Sequence, residues 1–320
     1  MLEEIKRRAA ADPQNATLAL NVVTAMARGN RGGELLEVLK DREGWSKASE
    51  GAHYLAGLEV ARRLGLDWEF KGMRVWSCPS LMRGTLNTID IPNSHRLALY
   101  IHKPTGMEFN LLPGWEYVEW VGGDRGAVEG SIKPFLIARW PVTIQQWNKG
   151  GGSDDYERQG HGLLPMTRRP FGRVSAWCKS NGLSLPTPEQ WEYACRAGSQ
   201  TRFFWGDDFD ESYVWYAGNS DPDYEEFASN PDNYDVLDMA RPAPRPHSPK
   251  EHDDAGKWNA FGLVDTHGNV FEWAIDGSLN GECYRDNPDS IAIGVTVRPA
   301  PGLEHEIGFR PIKTIPGMDG

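Results

Sequence analysis

The sequence predicts an α+β chain, in which a small helical N-terminal part precedes a large, loop-rich domain anchored by aromatic side chains. Three observations predict it. Apolar residues keep helical spacing through the first seventy positions, the period changes to that of strands between about residues 72 and 123, and little regular pattern follows in a chain carrying 13 tryptophans, 35 glycines and 22 prolines. In the first part, Leu18, Val22 and Met26, then Leu35, Leu36 and Leu39, then Tyr54, Leu55, Leu58 and Ala61 share helix faces. Asp12-Pro13 supplies a capped start and Gly29, Gly32 and Gly33 break the first pair. No polar cluster interrupts these faces, so they read as a packing or oligomerisation module.

The apolar run Leu97–His102 and the alternating segment GMEFNLLPGWEYVEW predict strands, with turns at Pro104-Thr105-Gly106 and Pro113-Gly114. Helical spacing returns only at Phe171–Asn181 and Pro188–Ala197. Thirteen tryptophans in so irregular a chain imply loops pinned by large anchors, each burying about 150–250 Å². The boundaries that follow are a helical bundle over residues 1–70, connecting strands over 71–104, the main domain over 105–313 and a tail over 314–320.

A net charge of −11 disfavours nucleic-acid backbones and anionic membrane surfaces. No stretch has the roughly 18 uncharged apolar residues of a spanning helix, and the N-terminus lacks the apolar core of a signal peptide, so the expected compartment is the cytoplasm, with a virion or non-standard export left open. Cys78, Cys178, Cys195 and Cys283 form no CxxC pair and suit a reducing environment. Between Trp205 and Asp254 fourteen acidic residues face only Arg241, Arg245 and Lys250. That segment reads as a solvated loop or an interaction surface, with Tyr216, Tyr224, Phe227 and Tyr234 set among its carboxylates.

Pro186-Thr187-Pro188-Glu189-Gln190 is a helix start, with Thr187 as N-cap, Pro188 in the first turn and Gln190 reaching back to complete a capping box. Thr143 similarly caps a helix beginning near Gln145. Five segments in order carry a resemblance: residues 106–120 with 131–147, the latter holding Pro141-Val142-Thr143; RPFGRVSAWCKSNGLSLPTPEQWEYACRAGSQTRFFWGDD at 169–208; WYAGNS at 215–220; NAFGLVDTHGNVFEWAID at 259–276; and EIGFRPI at 306–312. Together they resemble the formylglycine-generating enzyme or sulfatase-modifying-factor family, which implies a C-type-lectin-like fold over residues 105–313. Arg310 in the last segment is expected to make buried hydrogen bonds with its five donors.

The resemblance implies calcium held by Asp265, Gly268, Val270 and Glu272, with Asn219 and Asp221 as looser candidates for a second ion. Taken by themselves, Asp265 and Glu272 bracket a Gly268-Asn269 turn, so carboxylates and carbonyls would converge on a hard cation; a capped turn without metal is the alternative. Active members carry two cysteines between the GN-x-W-E-W and G-F-R motifs, and those thiolates bind copper. Here the interval holds Cys283 alone, so copper is not expected. An iron triad of the kind some relatives carry on N-terminal helices finds only His53 and Glu59, on different faces, while His161, His247, His252 and His267 are scattered in loops.

The function expected is therefore a non-catalytic module binding a protein or saccharide, of the kind found in variable proteins of diversity-generating retroelements or in assemblies. Tyr284, Arg285, Asp286, Asn287 and His305 are its candidate contacts. The alternative is a metal-dependent oxidoreductase with a substituted active site, for which Cys283 is the catalytic candidate. Oligomerisation through the N-terminal helices completes the expectations.

Overall fold

The structure is a computed structural model, which describes residues 36–40, 42–77, 94–120, 127–154, 160–220, 246–294, 296–300, 303 and 305–318. The apolar positions expected on helices before Leu36, together with Cys78, Asp221, Tyr224, Phe227 and Tyr234, lie outside them.

Helices Arg42–Lys47 and Glu50–Leu64 lead into strands β1 (Trp68–Ser77), β2 (Ser94–His102), β3 (Met107–Leu112), β4 (Trp115–Trp120), β5 (Ala127–Ile132) and β6 (Phe135–Ala138). Short strands β7 (Phe271–Trp273), β8 (Leu279–Asn280), β9 (Thr296–Val297), β10 (Ile307–Gly308) and β11 (Ile312–Thr314) follow a long run of loops and helices. β1, β2, β3, β6 and β11 form one five-stranded sheet in that order, β10, β7, β8 and β9 a second, and β4 pairs with β5. The closing strand thus inserts beside β6, antiparallel, with Ile312 opposite Ile137.

The five-stranded sheet runs straight across the boundary expected at residue 105, because β1 and β2 pair along nine register positions from Trp68–His102 to Ser77–Ser94 and β2 pairs onward with β3. The helices share the same core: Leu36, Leu39, Trp45 and Val60 belong to one buried cluster with Phe109, Leu111, Trp147 and Phe309. Gly57 shows why the helix sits so close. A Cβ there would meet the Phe70 ring at 2.9 Å, and its carbonyl accepts a 2.7 Å bond from the buried Tyr100 hydroxyl. A second cluster, Phe203, Phe204, Trp205, Tyr213, Val214, Tyr216 and Ile291, pins the loops.

Both expected caps are present. Thr143 and Gln146 form a capping box on helix Ile144–Lys149, and Thr187 and Gln190 form one on helix Pro188–Arg196. Trp191, Tyr193, Ala194 and Cys195 of the latter are buried.

His102 supplies a pH test of this core. Burial against Trp68 pushes its pKa down from 6.5 to about 4; Asp67 opposes this, and Lys313 and Lys149 reinforce it. A histidine depressed in the folded state stabilises fully above the unfolded value, and that stability is lost as pH falls from 6.5 toward 4, because only the unfolded chain then takes up the proton. The loss should reach about 2–3 kcal/mol by pH ~4.5. Urea unfolding at neutral pH and near pH ~4.5 should show that loss in the wild type and a smaller one in His102→Gln; equal losses would refute the assignment.

Candidate functional site

The polar centre is built on the turn Asp265–Asn269, between the NAFGL segment and β7. Three of its residues hold left-handed backbone: Asp265 at φ 52°, Gly268 at 69° and Asn269 at 60°. Gly268 is required there, since a Cβ would lie 2.3 Å from the Trp215 carbonyl oxygen, which accepts a bond from the Asn269 amide. The turn is thereby fastened to the Trp215–Ser220 segment.

Arg310 holds the turn from the other side. Its Nη2 donates to the carbonyls of Val264 (2.7 Å) and Asp265 (3.0 Å), its Nη1 to those of Ala138 (3.3 Å) and Arg139 (2.7 Å), and Nε and Nη2 reach the Glu272 carboxylate at 2.8–3.2 Å. Both side chains are 1% exposed. The second Glu272 oxygen also accepts the Trp191 indole N–H at 2.6 Å. Glu272 is thus consumed by a guanidinium and an indole.

Asp265 turns elsewhere. Its Oδ1 lies 3.2 Å from His247 Nε2 and 2.6 Å from His252 Nδ1, and its Oδ2 accepts from the Asn269 amide at 2.7 Å. The convergence expected of Asp265 and Glu272 is therefore replaced by two separate clusters. The two carboxylates among the four calcium candidates fit a hard cation poorly as placed, since each already faces nitrogen groups. The second-ion candidate Asn219 bonds the Tyr216 amide and the Val214 carbonyl.

His247 and His252 come from a segment the sequence left as loop. Pro249 starts a short helix, Pro249–Asp254, that carries His252, and Arg139 pairs with its Asp253. His247 is buried, its ring stacks on Trp215 at 4.8 Å, and its backbone amide donates to Asn269 Oδ1. Burial alone would lower its pKa, but Asp265 and Glu251 together offset this and raise it. Burial alone would raise Asp265's, and the two imidazoles instead hold it far below the usual carboxylate range. His247 Nε2, His252 Nδ1 and a carboxylate oxygen of Asp265 lie within 4.8 Å of one another, as metal-ligating atoms do. The signal available in the sequence was the H-x₄-H spacing thirteen residues before Asp265; it was illegible without the turn that brings it round.

Beside this lies a third buried array. His267 Nδ1 is 3.3 Å from Glu282 Oε2, and its Nε2 is 3.9 Å from Cys195 Sγ, which donates to the Thr266 carbonyl. The order thiol, imidazole, carboxylate is that of an activated nucleophile. Its burial is complete, with Cys195, His267 and Glu282 all at 2% exposure or less and the imidazole walled by Phe203, Phe204 and Trp205, so substrate has no approach to the sulfur.

Cys283 is 2% exposed, and burial together with Asp286 pushes its thiol well up, away from the thiolate a nucleophile needs. Tyr284 is buried, with its carbonyl accepting from the Ser220 hydroxyl, whereas Arg285, Asn287 and His305 are exposed and Asp286 half-buried. Arg285 pairs with buried Glu306, and Asp286 bonds the Cys283 amide. His53 is held by the Trp45 carbonyl and Glu59 by Arg62 and Arg63, so these two do not meet.

Beside Pro288 opens a groove of about 780 Å³. Trp205, Phe209 and Tyr216 line it, the first and last of them largely buried, Asp207, Asp208, Asp210 and Glu211 are exposed along it, and no lysine or arginine among the described residues lines it.

An α+β domain with short strands, long ordered loops and a terminal strand returned beside β6 is C-type-lectin-like. Comparison with known families matches residues 116–315 to the sulfatase-modifying factor enzyme 1-like domain, and the chain belongs to that family. The formylglycine-generating enzyme of Mus musculus is 30% identical over 139 residues, 42% of this chain and 33% of that protein. That of Mycobacterium tuberculosis is 29% identical over 153 residues, 43% of this chain and 46% of that protein. The inactive C-alpha-formylglycine-generating enzyme 2 of Mus musculus is 27% identical over 167 residues, 50% of this chain and 47% of that protein. The match thus spans less than half the length of each of these relatives. Among solved structures, Treponema denticola variable protein 1 gives a TM-score of 0.47 at 18% identity, covering 65% of this chain and 96% of that one. PvdO from Pseudomonas aeruginosa gives 0.46 at 17%, covering 67% and 97%. No helix among the described residues is long and apolar enough to cross a membrane.

Proposed function

We propose that this chain is a non-catalytic recognition module, which uses the acidic, aromatic groove at Trp205–Glu211 to bind a positively charged segment of a partner. The observation that carries the reading is the groove itself: four exposed carboxylates beside the partly exposed Phe209, with no basic side chain among the described residues that line it. Lysine and arginine suit it, since carboxylates attract the cation from a distance and the partly exposed Phe209 ring can receive it at contact. A neutral saccharide would use the rings and leave the carboxylates without a purpose. Pro288, which follows the segment Tyr284–Asn287, lines the groove, and Arg285 and Asn287 of that segment are exposed. A relative that is itself an inactive member of the family supports the non-catalytic half of the reading, as does the burial of Cys283.

An oligoarginine peptide is the probe, titrated calorimetrically into the full chain. Binding should weaken steeply with salt. Reversing two exposed carboxylates in Asp208→Lys/Glu211→Lys should cost about tenfold in Kd, at roughly 0.5–1 kcal/mol per exposed charge pair. Binding that ignores this double change would remove the groove from the function. Dioxygen consumption that is abolished by Cys283→Ser would replace recognition with catalysis.

A further inference from the structure

We propose that His247, His252 and Asp265 form a binding site for one divalent ion of the zinc class. The reading concerns a different place from the groove and does not depend on it.

Two imidazole nitrogens and one carboxylate oxygen are a borderline donor set, which favours zinc and its first-row neighbours over calcium or magnesium. Such an ion sits about 2.0–2.2 Å from each donor, so neighbouring donors stand about 3 Å apart. Asp265 Oδ1 lies 3.2 Å from His247 Nε2 and 2.6 Å from His252 Nδ1, and the ligating atoms of all three residues lie within 4.8 Å of one another. Small side-chain rotations therefore suffice to close them on one centre.

The supports around the three residues are those of a built site. Asn269 takes Asp265 Oδ2 at 2.7 Å, which leaves Oδ1 turned to the imidazoles, and the same amide group bonds the His247 carbonyl. The exposed Glu251 carboxylate stands 3.9 Å from His247 Nδ1, the ring nitrogen remote from Asp265, beyond hydrogen-bond distance as placed but on the side from which a carboxylate supports a metal-bound histidine. Trp215 fixes the ring plane by stacking. His252 is 13% exposed, which opens a route for an ion while Asp265 stays enclosed. Three protein donors leave a position for water or another small donor. Bound there, the ion would tie helix Pro249–Asp254 to the Asp265–Asn269 turn.

The test uses the full chain without an affinity histidine tag, stripped with chelator and titrated with Zn²⁺. One equivalent should bind and raise Tm. His252→Ala removes a partly exposed ligand and should weaken binding on the order of 100-fold, with the Tm rise lost. Uptake unchanged in His252→Ala, or absent from the folded wild type, would overturn the site and leave the triad as a hydrogen-bonded cluster. Co²⁺ gives a second reading on the wild type alone. Intense visible bands of a four- or five-coordinate ion with nitrogen donors support the proposal, and the faint spectrum of an all-oxygen octahedral ion refutes it.

Discussion

Replacing Arg310 by methionine should cost about 3–5 kcal/mol and lower Tm by about 10 °C, a large effect for a single substitution. The cause is Glu272. Its carboxylate is 1% exposed and draws its compensating charge from Arg310, with Trp191 as the other donor in contact. Truncating the arginine leaves a buried anion beside one indole, and it also releases the carbonyls of Ala138, Arg139, Val264 and Asp265 from the donors they share. The double variant Arg310→Met/Glu272→Met removes both charges and should recover much of the loss, because an apolar pair avoids the desolvation cost that an orphaned charge incurs. Thermal unfolding of the two single variants and the double variant gives the coupling directly. Additive losses would mean that the ion pair is not the source of the effect.

Asn259→Ala should be nearly as severe, at about 3–5 kcal/mol, since several buried groups each lose a bond worth about 1–3 kcal/mol when unmet. Its side chain is fully buried and serves four backbone groups at once. Oδ1 accepts from the amides of Phe261 and Leu263, and Nδ2 donates to the carbonyls of Ala194 and Cys195. The last two belong to the final turn of helix Pro188–Arg196, where carbonyls lack helical partners. One asparagine therefore shapes the NAFGL turn and caps a helix 64 residues earlier in the chain. Urea unfolding of Asn259→Ala, with Asn219→Ala as a more exposed comparison, measures the cost; near-equal losses would contradict the hub role.

Both predictions rest on motif residues whose identity was visible in the sequence and whose partners were not. Arg310 was expected to use its donors internally, and it does, but nothing in EIGFRPI names Glu272 as its counter-ion. The carboxylates of DTHGNVFE were expected to converge across their turn. Instead, left-handed backbone at Asp265 and Asn269 sends Asp265 toward the histidines, while Glu272, in a strand, points to the closing segment. Local spacing describes which residues neighbour one another along the chain, whereas convergence depends on the segments that pack against the turn from residues 215, 247 and 310.

The same division holds for the whole protein. The sequence alone determined the α+β class, the family, the Thr143 cap, the Thr187 capping box and the aromatic anchoring, because each depends on residue type and short-range spacing: a threonine three residues before a glutamine, a proline in the first turn, ordered motifs. Only the tertiary structure decided that residues 68–102 extend the main sheet rather than link to it, since strand pairing is a long-range choice settled by which apolar faces meet. It also decided the chemistry of the polar centre. His247 and His252 look like scattered loop histidines until the Asp265 carboxylate is turned to meet them, and Cys195 looks like a packing thiol until His267 and Glu282 are folded against it. Burial then governs what each cluster can do: it closes the thiol array to substrate, while the partly exposed His252 keeps the histidine cluster within reach of an ion.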